Sequence, residues 1–463
     1  MERFPTLVPG LDEILEGGLF EGGLYIVEGP PGAGKTTLAN QIAHRHAREG
    51  TKTLYLTMLA ETHSRMLQHM AEQTFFRQEF VSSEVFYVSG YRDFEQKGLK
   101  GVLALILGEL SRSRASFFVL DGFISPNGSV DKADAMRPFI HELQSLLAGM
   151  KCTGLVLTSG RADRLSAEQT MVDGIFSLED HASHLRAERR FQVHKFRGSH
   201  VARGQHAFCI TNDGLRIYPR LESLPALRVP PPSLPYLATG VGELDELLHG
   251  NGVLTGSSSA AIGKNGVGKT LFSMAFAAEG TPQAPCLLVS GFDEAADLLE
   301  LGARTRLPVD DKVASGALFI ESLNFEDESL DQIGYSLLNR VEKLGASRLV
   351  IDGLAALGDT LAFEARGFRF LGRLIRELRG RGVTVLCTID PSTLAATTGR
   401  PYAEGMLGWF DNIFEIGFES RDRQRREILV AKLRASGLVS QQACRVVFRP
   451  LFRAIDQVRG DAG

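Results

Sequence analysis

The sequence predicts an α/β fold built twice: two tandem domains, each a mostly parallel sheet flanked by helices, with a hairpin added at the sheet edge. Three observations predict it. A series of motifs in the first half restarts in the same order in the second, and within each half short apolar runs alternate with helical patterns. Between the halves, Pro225, Pro230, Pro231, Pro232 and Pro235 crowd one stretch, where missing backbone donors and fixed φ favour an extended connection. Residues 1–224 therefore read as the first domain, 225–235 as a linker and 236–463 as the second domain.

The repeat opens with Val8-Pro9-Gly10-Leu11-Asp12-Glu13-Ile14-Leu15 and reopens with Thr239-Gly240-Val241-Gly242-Glu243-Leu244-Asp245-Glu246-Leu247-Leu248. Each copy continues into a Gly-rich turn and an apolar strand. The expected strands are 24–28, 53–57, 117–120 and 154–158 in the first half, then 260–262, 286–290, 348–351 and 384–388 in the second. Residues 190–196 and 427–433 read as strands added at the far edge.

Composition excludes several classes of function. A chain of 463 residues with 44% hydrophobic and 23% charged residues can bury a full core in each half. Its net charge of −4 lacks the basic surplus of a duplex-binding domain, which argues against nucleic acid as a partner. Five scattered cysteines form no C-x-x-C pair. No apolar leader opens the sequence, and no apolar run suits a membrane span. A cytoplasmic protein with reduced thiols is the expectation.

Each expected first strand runs into a loop of the form G-x-x-x-x-G-K-T. These are Gly29-Pro30-Pro31-Gly32-Ala33-Gly34-Lys35-Thr36 and Gly263-Lys264-Asn265-Gly266-Val267-Gly268-Lys269-Thr270. Glycines let consecutive amides converge on phosphate oxygens, the lysine reaches the outer phosphates, and the threonine hydroxyl suits Mg²⁺. A helix start behind each loop adds the positive end of its dipole. Two such loops, each set between a strand and a helix, predict two ATP sites.

A phosphate loop of this kind works with a carboxylate on a neighbouring strand, and Asp121 and Asp352 each end an apolar run at a matched distance from the loop lysine. Thr36 with Asp121, and Thr270 with Asp352, are the expected Mg²⁺ ligands. Hydrolysis also needs a group to polarise the attacking water. Glu61 is the candidate in the first half and Asp293 or Glu294 in the second, although each also suits the acidic first turn of a helix. Near the end of each half lies a basic strand carrying Lys195 and Arg197, or Lys432 and Arg434. Aligned cations at a sheet edge suit a neighbouring subunit's γ-phosphate, or else simply protect the edge.

The motif order, closing on Lys195-Phe196-Arg197-Gly198-Ser199 and on Lys432-Leu433-Arg434-Ala435-Ser436, resembles the KaiC family of RecA-superfamily ATPases over nearly the whole chain. The resemblance implies tandem RecA-like P-loop domains, a homo-hexamer with ATP at subunit interfaces, slow ATPase activity and a protein partner that the sequence does not identify. It also implies departures. Where the family carries paired catalytic glutamates, this chain has Ala60-Glu61 and Asp293-Glu294. The positions matching the clock kinase's phosphorylated Ser-Thr pair are Gly408 and Trp409, which carry no hydroxyl. The family's long C-terminal tail is expected to have no counterpart after Arg434. Three other readings stay open: a RecA-type DNA motor or repair ATPase, an autokinase with relocated acceptors, and a nucleotide-sensing scaffold without turnover. His181, His184, His194, His200 and His206 lack metal-motif spacing and read as locally bonded.

Overall fold

Both phosphate loops leave a strand that is buried along its whole length, Leu24–Glu28 in the first half and Ser258–Ile262 in the second. The computed structural model describes residues 2–58, 63–122, 130–159, 171–183, 186–225, 229–248, 252–323, 328–359, 363–391, 407–418, 426–433 and 445–448. The chain divides into two units, Met1–Leu224 and Pro225–Gly463.

In the first unit a nine-stranded sheet runs, from one edge, through Gly214–Tyr218, Gln205–Thr211, Arg186–Phe196, Gly174–Ser183, Leu24–Glu28, Thr153–Thr158, Phe117–Asp121, Thr53–Thr57 and Val85–Ser89. From Gly174–Ser183 onward, neighbouring strands are parallel. The other three are antiparallel additions. Eight strands repeat the plan in the second unit: Arg445–Phe448, Arg426–Leu433, Asn412–Phe418, Ser258–Ile262, Thr384–Ile389, Arg348–Asp352, Cys286–Ser290 and Leu318–Ser322. The chain thus has the tandem α/β architecture that its alternating pattern predicts.

Side chains alternate along each buried strand, so one strand feeds two cores. In the first unit Tyr25, Val27, Tyr55, Val119 and Leu157 pack toward Leu38, Ala39 and Ile42 of helix Lys35–Ala47. Leu24, Ile26, Leu54 and Leu120 pack oppositely, toward Val102 and Ile106 of helix Tyr91–Ser113 and Leu143 of helix Val130–Met150. Continuous apolar strands are therefore required at the centre of the sheet. The parallel arrangement brings the strand ends at Glu28, Thr57, Asp121 and Thr158 to one edge, where such sheets hold ligands.

The repeated opening motif has a structural reason. Asp12 accepts hydrogen bonds from the Thr6 amide (2.8 Å) and hydroxyl (2.7 Å), and Asp245 accepts one from the Thr239 amide (2.8 Å). Each aspartate fixes the chain's entry to its unit.

Several elements differ from the sequence reading. Edge strands Val85–Ser89 and Leu318–Ser322 extend both parallel sheets, and Gly174–Ser183 and Asn412–Phe418 lie between the loop strand and the basic strand. Part of the proline-rich stretch is strand: Ser233–Leu237 pairs antiparallel with Val253–Thr255. A one-residue bulge recurs at matching places, leaving His194 and Ala431 unpaired just before Lys195 and Lys432. Among the described residues, no helix is long and apolar enough to cross a membrane.

Candidate functional site

Gly34 and Gly268 adopt left-handed φ values of 99° and 101° as they open helices Lys35–Ala47 and Lys269–Ala278. A Cβ on Gly29 would fall 2.2 Å from the Leu178 carbonyl oxygen, and one on Gly263 would fall 2.4 Å from that of Ile416. Glycine is required at both ends of each loop. Ala33 and Val267 turn inward to anchor the loops in the core, while Pro30, Pro31 and Gly32, like Lys264, Asn265 and Gly266, stay exposed.

Both loop lysines fold back over their own loops. Lys35 Nζ donates to the carbonyls of Gly29 (2.7 Å) and Pro30 (2.9 Å). Lys269 Nζ donates to the carbonyl of Lys264 (3.0 Å) and stands 3.8 Å from Asp390 Oδ2. Burial lowers the pKa of both ammonium groups, opposed at Lys35 by Asp121 and at Lys269 by Asp390 and Asp352. Phosphate oxygens arriving at the loop would restore the lost solvation of each cation.

The strand carboxylates reach the loop threonines in both units. In the first, Thr36 Oγ1 donates to Asp121 Oδ2 (2.9 Å), which also accepts from the buried phenol of Tyr55 (2.7 Å). In the second, Asp352 Oδ1 accepts from Thr388 Oγ1 (2.6 Å). Burial raises the pKa of Asp352, while hydrogen bonds from Thr388, Thr270 and Ser273 oppose the rise. A threonine hydroxyl beside a carboxylate is a hard-oxygen donor set that fits Mg²⁺ completed by phosphate oxygens and water. Among the described residues, no group of three or more His, Cys, Asp or Glu side chains could hold a metal by itself.

Behind Asp121 the polar network continues through Tyr87, which donates to Asn40 Oδ1 (2.8 Å), and His44, whose Nε2 lies 3.1 Å from the Tyr87 hydroxyl. The Arg77 amide donates to His44 Nδ1 (3.3 Å), so Nε2 carries the proton of a neutral ring. Burial, aided by Arg48, pushes the His44 pKa down to about 4 from 6.5. A histidine with a depressed folded pKa adds stability at neutral pH that is lost as pH falls through this interval. The first unit should lose up to about 3 kcal/mol between those limits, and His44→Gln should flatten that part of the pH–stability curve measured by denaturant unfolding. Tyr55→Phe should cost about 1–3 kcal/mol in the same assay, because it strips one donor from a buried carboxylate.

The second site opens into a cleft of about 530 Å³ between the loop, Asp352 and the ends of neighbouring strands. Asp293 lines it, whereas Glu294 accepts from Ser322 Oγ (3.0 Å) on the edge strand and does not. Phe292, 65% exposed, stands at the rim.

A family model described as "ATPase: KaiC" matches residues 4–222 and matches again over residues 237–445. The chain belongs to the KaiC ATPase family. It is 24% identical over 371 residues to the circadian clock oscillator protein KaiC of Picosynechococcus sp., covering 77% of this chain and 71% of that one. It is 25% identical to KaiC 1 of Synechocystis sp., with 77% and 70% covered, and 26% identical to KaiC2 of the same organism, with 62% and 50% covered.

Beside the two KaiC-type loops, the structure places two residues that sequence reasoning missed. Asp390 follows strand Thr384–Ile389 and faces Lys269. Arg426 begins the antiparallel strand Arg426–Leu433, and a Cβ on Gly268 would lie 3.7 Å from its Nε. An Asp ending a third apolar run was a usable signal for Asp390. Arg426 needed the hairpin register.

Lys195 and Lys432 lie near the ends of their strands remote from the loops of their own units, paired with Ile175 and Ile413, while Arg426 at the other end of the second strand reaches the loop. Lys432 Nζ donates to the carbonyls of Leu407 (3.2 Å) and Phe410 (2.7 Å). Lys195 is half-buried, and Arg197, one residue past the strand end, donates to the Met171 carbonyl (3.1 Å). Glu61 and Arg434 lie outside the described residues. Trp409 packs against Gly372 of helix Phe363–Gly380, close enough that a Cβ there would fall 2.7 Å from the indole. His181, His194 and His206 bond to Glu179, Ser177 and the Ala202 carbonyl, and His184 lies outside the described residues.

Proposed function

We propose that both KaiC-type domains bind Mg²⁺–ATP and hydrolyse it slowly in an assembled ring, a homo-hexamer that works through a protein partner. The observation that carries this reading is the repeated triad of loop lysine, loop threonine and strand carboxylate: Lys35, Thr36 and Asp121, then Lys269, Thr270 and Asp352. The loop amides, from Gly32 to Thr36 in the first loop, where Pro30 and Pro31 carry no N–H, and from Gly263 to Thr270 in the second, would cradle the phosphates. The lysines leave their carbonyl partners for the outer phosphates. Thr36 with Asp121, and Thr270 with Asp352, would hold Mg²⁺, which supplies charge neutralisation on the phosphates. Asp293, and Glu61 in the first site, orient and deprotonate the attacking water.

Lys195, Arg197, Lys432 and Arg434 act in trans on a neighbouring subunit's nucleotide. Lys195 and Lys432 lie near the ends of their strands remote from the loop of the same unit, which supports that assignment for these two lysines. Gly408 and Trp409 offer no acceptor oxygen, which favours hydrolysis over phosphorylation at those positions.

Incubation with γ-labelled ATP and Mg²⁺ tests the activity. Labelled phosphate should be released while the protein stays unlabelled. Label cycling on Thr397 or Thr398 would instead support a relocated kinase, and absence of release would support a scaffold. Mixing Arg434→Ala with Lys269→Ala subunits should restore some second-site turnover. No recovery in rings proven mixed by native mass measurement would place Arg434 within its own chain's chemistry.

A further inference from the structure

The far end of helix Lys35–Ala47, away from the phosphate loop, takes part in a second pocket of about 230 Å³ in the first unit. Three arginines line it: Arg45 and Arg48 from the helix end, and Arg216 from strand Gly214–Tyr218. Thr74 and Phe75 close a third side. The one carboxylate in the lining, Asp213, already accepts from the Thr74 hydroxyl. Among the described residues, none of the three guanidinium groups forms a salt bridge. Arg45 donates to the Leu7 carbonyl and the Asp213 carbonyl (3.4 Å), and Arg48 donates to the Thr74 carbonyl (3.4 Å).

A basic residue at a helix C-terminus is ordinarily a favourable partner for the dipole, and that accounts for Arg45 or Arg48 taken alone. It does not account for Arg216, which comes from a different element to the same pocket. The scaffold is also held firmly. Gln41 donates to the Leu215 carbonyl (3.0 Å) and accepts from the Leu215 amide (2.7 Å), and the Thr74 amide donates to the Asn212 carbonyl (2.7 Å). The pocket therefore keeps like charges together on a preformed frame. Burial, with the neighbouring Arg48 and Arg216 charges against the help of Asp213, lowers the Arg45 pKa, as expected where three cations share one carboxylate.

We propose that this pocket is a phosphate-binding site, distinct from both nucleotide sites, in which Arg45, Arg48 and Arg216 grip one phosphate dianion. Planar guanidinium forks match phosphate oxygens in pairs, and the pocket has room for one such group. The site belongs to the first unit alone. Counted from the loop lysines, the second unit carries Glu279 and Pro282 where the first carries Arg45 and Arg48.

The test uses the full chain with excess ADP and no Mg²⁺, so that nucleotide occupies the phosphate loops, and titrates orthophosphate by calorimetry. One orthophosphate per chain should bind, with affinity falling steeply as salt rises. Arg48→Gln and Arg216→Gln, both at exposed positions, should each weaken binding by about tenfold or more, with melting temperatures unchanged in phosphate-free buffer. Arg216→Lys, which keeps the charge and loses the fork, should fall between. A parallel titration with glycerol 2-phosphate separates the sources: binding tighter than orthophosphate assigns a phosphate monoester, and weaker binding assigns free phosphate. Absence of saturable binding, a stoichiometry of two, or binding that both glutamine variants leave intact would overturn the proposal.

Discussion

Asp293→Asn, made in a Lys35→Ala background that silences the first site, should lower steady-state ATP turnover by about 10²–10⁴-fold and leave ATP binding nearly unchanged, the range expected when a general base is lost. Glu294→Gln in the same background should change turnover far less. The distinction follows from position. Asp293 lines the cleft beside the loop, and its charge is close enough to Asp352 to push that carboxyl's pKa upward. Glu294 is held by Ser322 on the neighbouring edge strand, outside the cleft. Phosphate release at saturating ATP measures both. The reverse ranking would move the water-activating role to Glu294 and require the turn after Ser290 to rearrange when nucleotide binds.

Asp352→Asn should lower second-site turnover by about 10²-fold or more, because it keeps the shape of the side chain and removes the negative charge that the proposed Mg²⁺ complex would require. Thr388 would still reach the amide oxygen, so the fold should survive. Nucleotide retained without Mg²⁺ should match the unaltered protein, and the Mg²⁺-dependent increment should vanish. Fluorescent-nucleotide titrations with and without Mg²⁺ separate the two quantities. If the increment persisted, Asp352 would be a structural residue only.

The parts of this chain that were legible in sequence are those where one local rule decides. Strands such as Thr53–Thr57 and Cys286–Ser290 are buried on both faces, so every position is apolar or small and their limits are plain. The glycine loops were legible for a similar reason: left-handed φ at Gly34 and Gly268 leaves glycine as the residue that fits. Edge strands Val85–Ser89 and Leu318–Ser322 were harder, since only their first residues are buried and a short, half-exposed run fits a helix as well.

What could not be read was whatever depends on register between distant strands. Tyr55 reaches Asp121 because Thr53–Thr57 lies alongside Phe117–Asp121, with Thr57 opposite Asp121, and no spacing in the chain encodes that meeting. The second unit has Leu288 on the corresponding strand and holds its carboxylate through Thr388 instead. Two copies of one motif thus rest on different supports. The contrast between Asp293 and Glu294 was likewise invisible, because adjacent residues leave a turn in directions that sequence does not specify.

Equilibrium dialysis of the full chain against labelled ATP with Mg²⁺ tests the central claim, that two complete nucleotide sites stand in one chain. The unaltered protein should hold two nucleotides per chain, Lys35→Ala and Lys269→Ala should each hold about half as much, and the double variant should retain almost none. In the proposed sites the lysines would contact the outer phosphates while the loop amides stay in place, so the loss reads each site separately. Unchanged stoichiometry in the double variant would contradict the account.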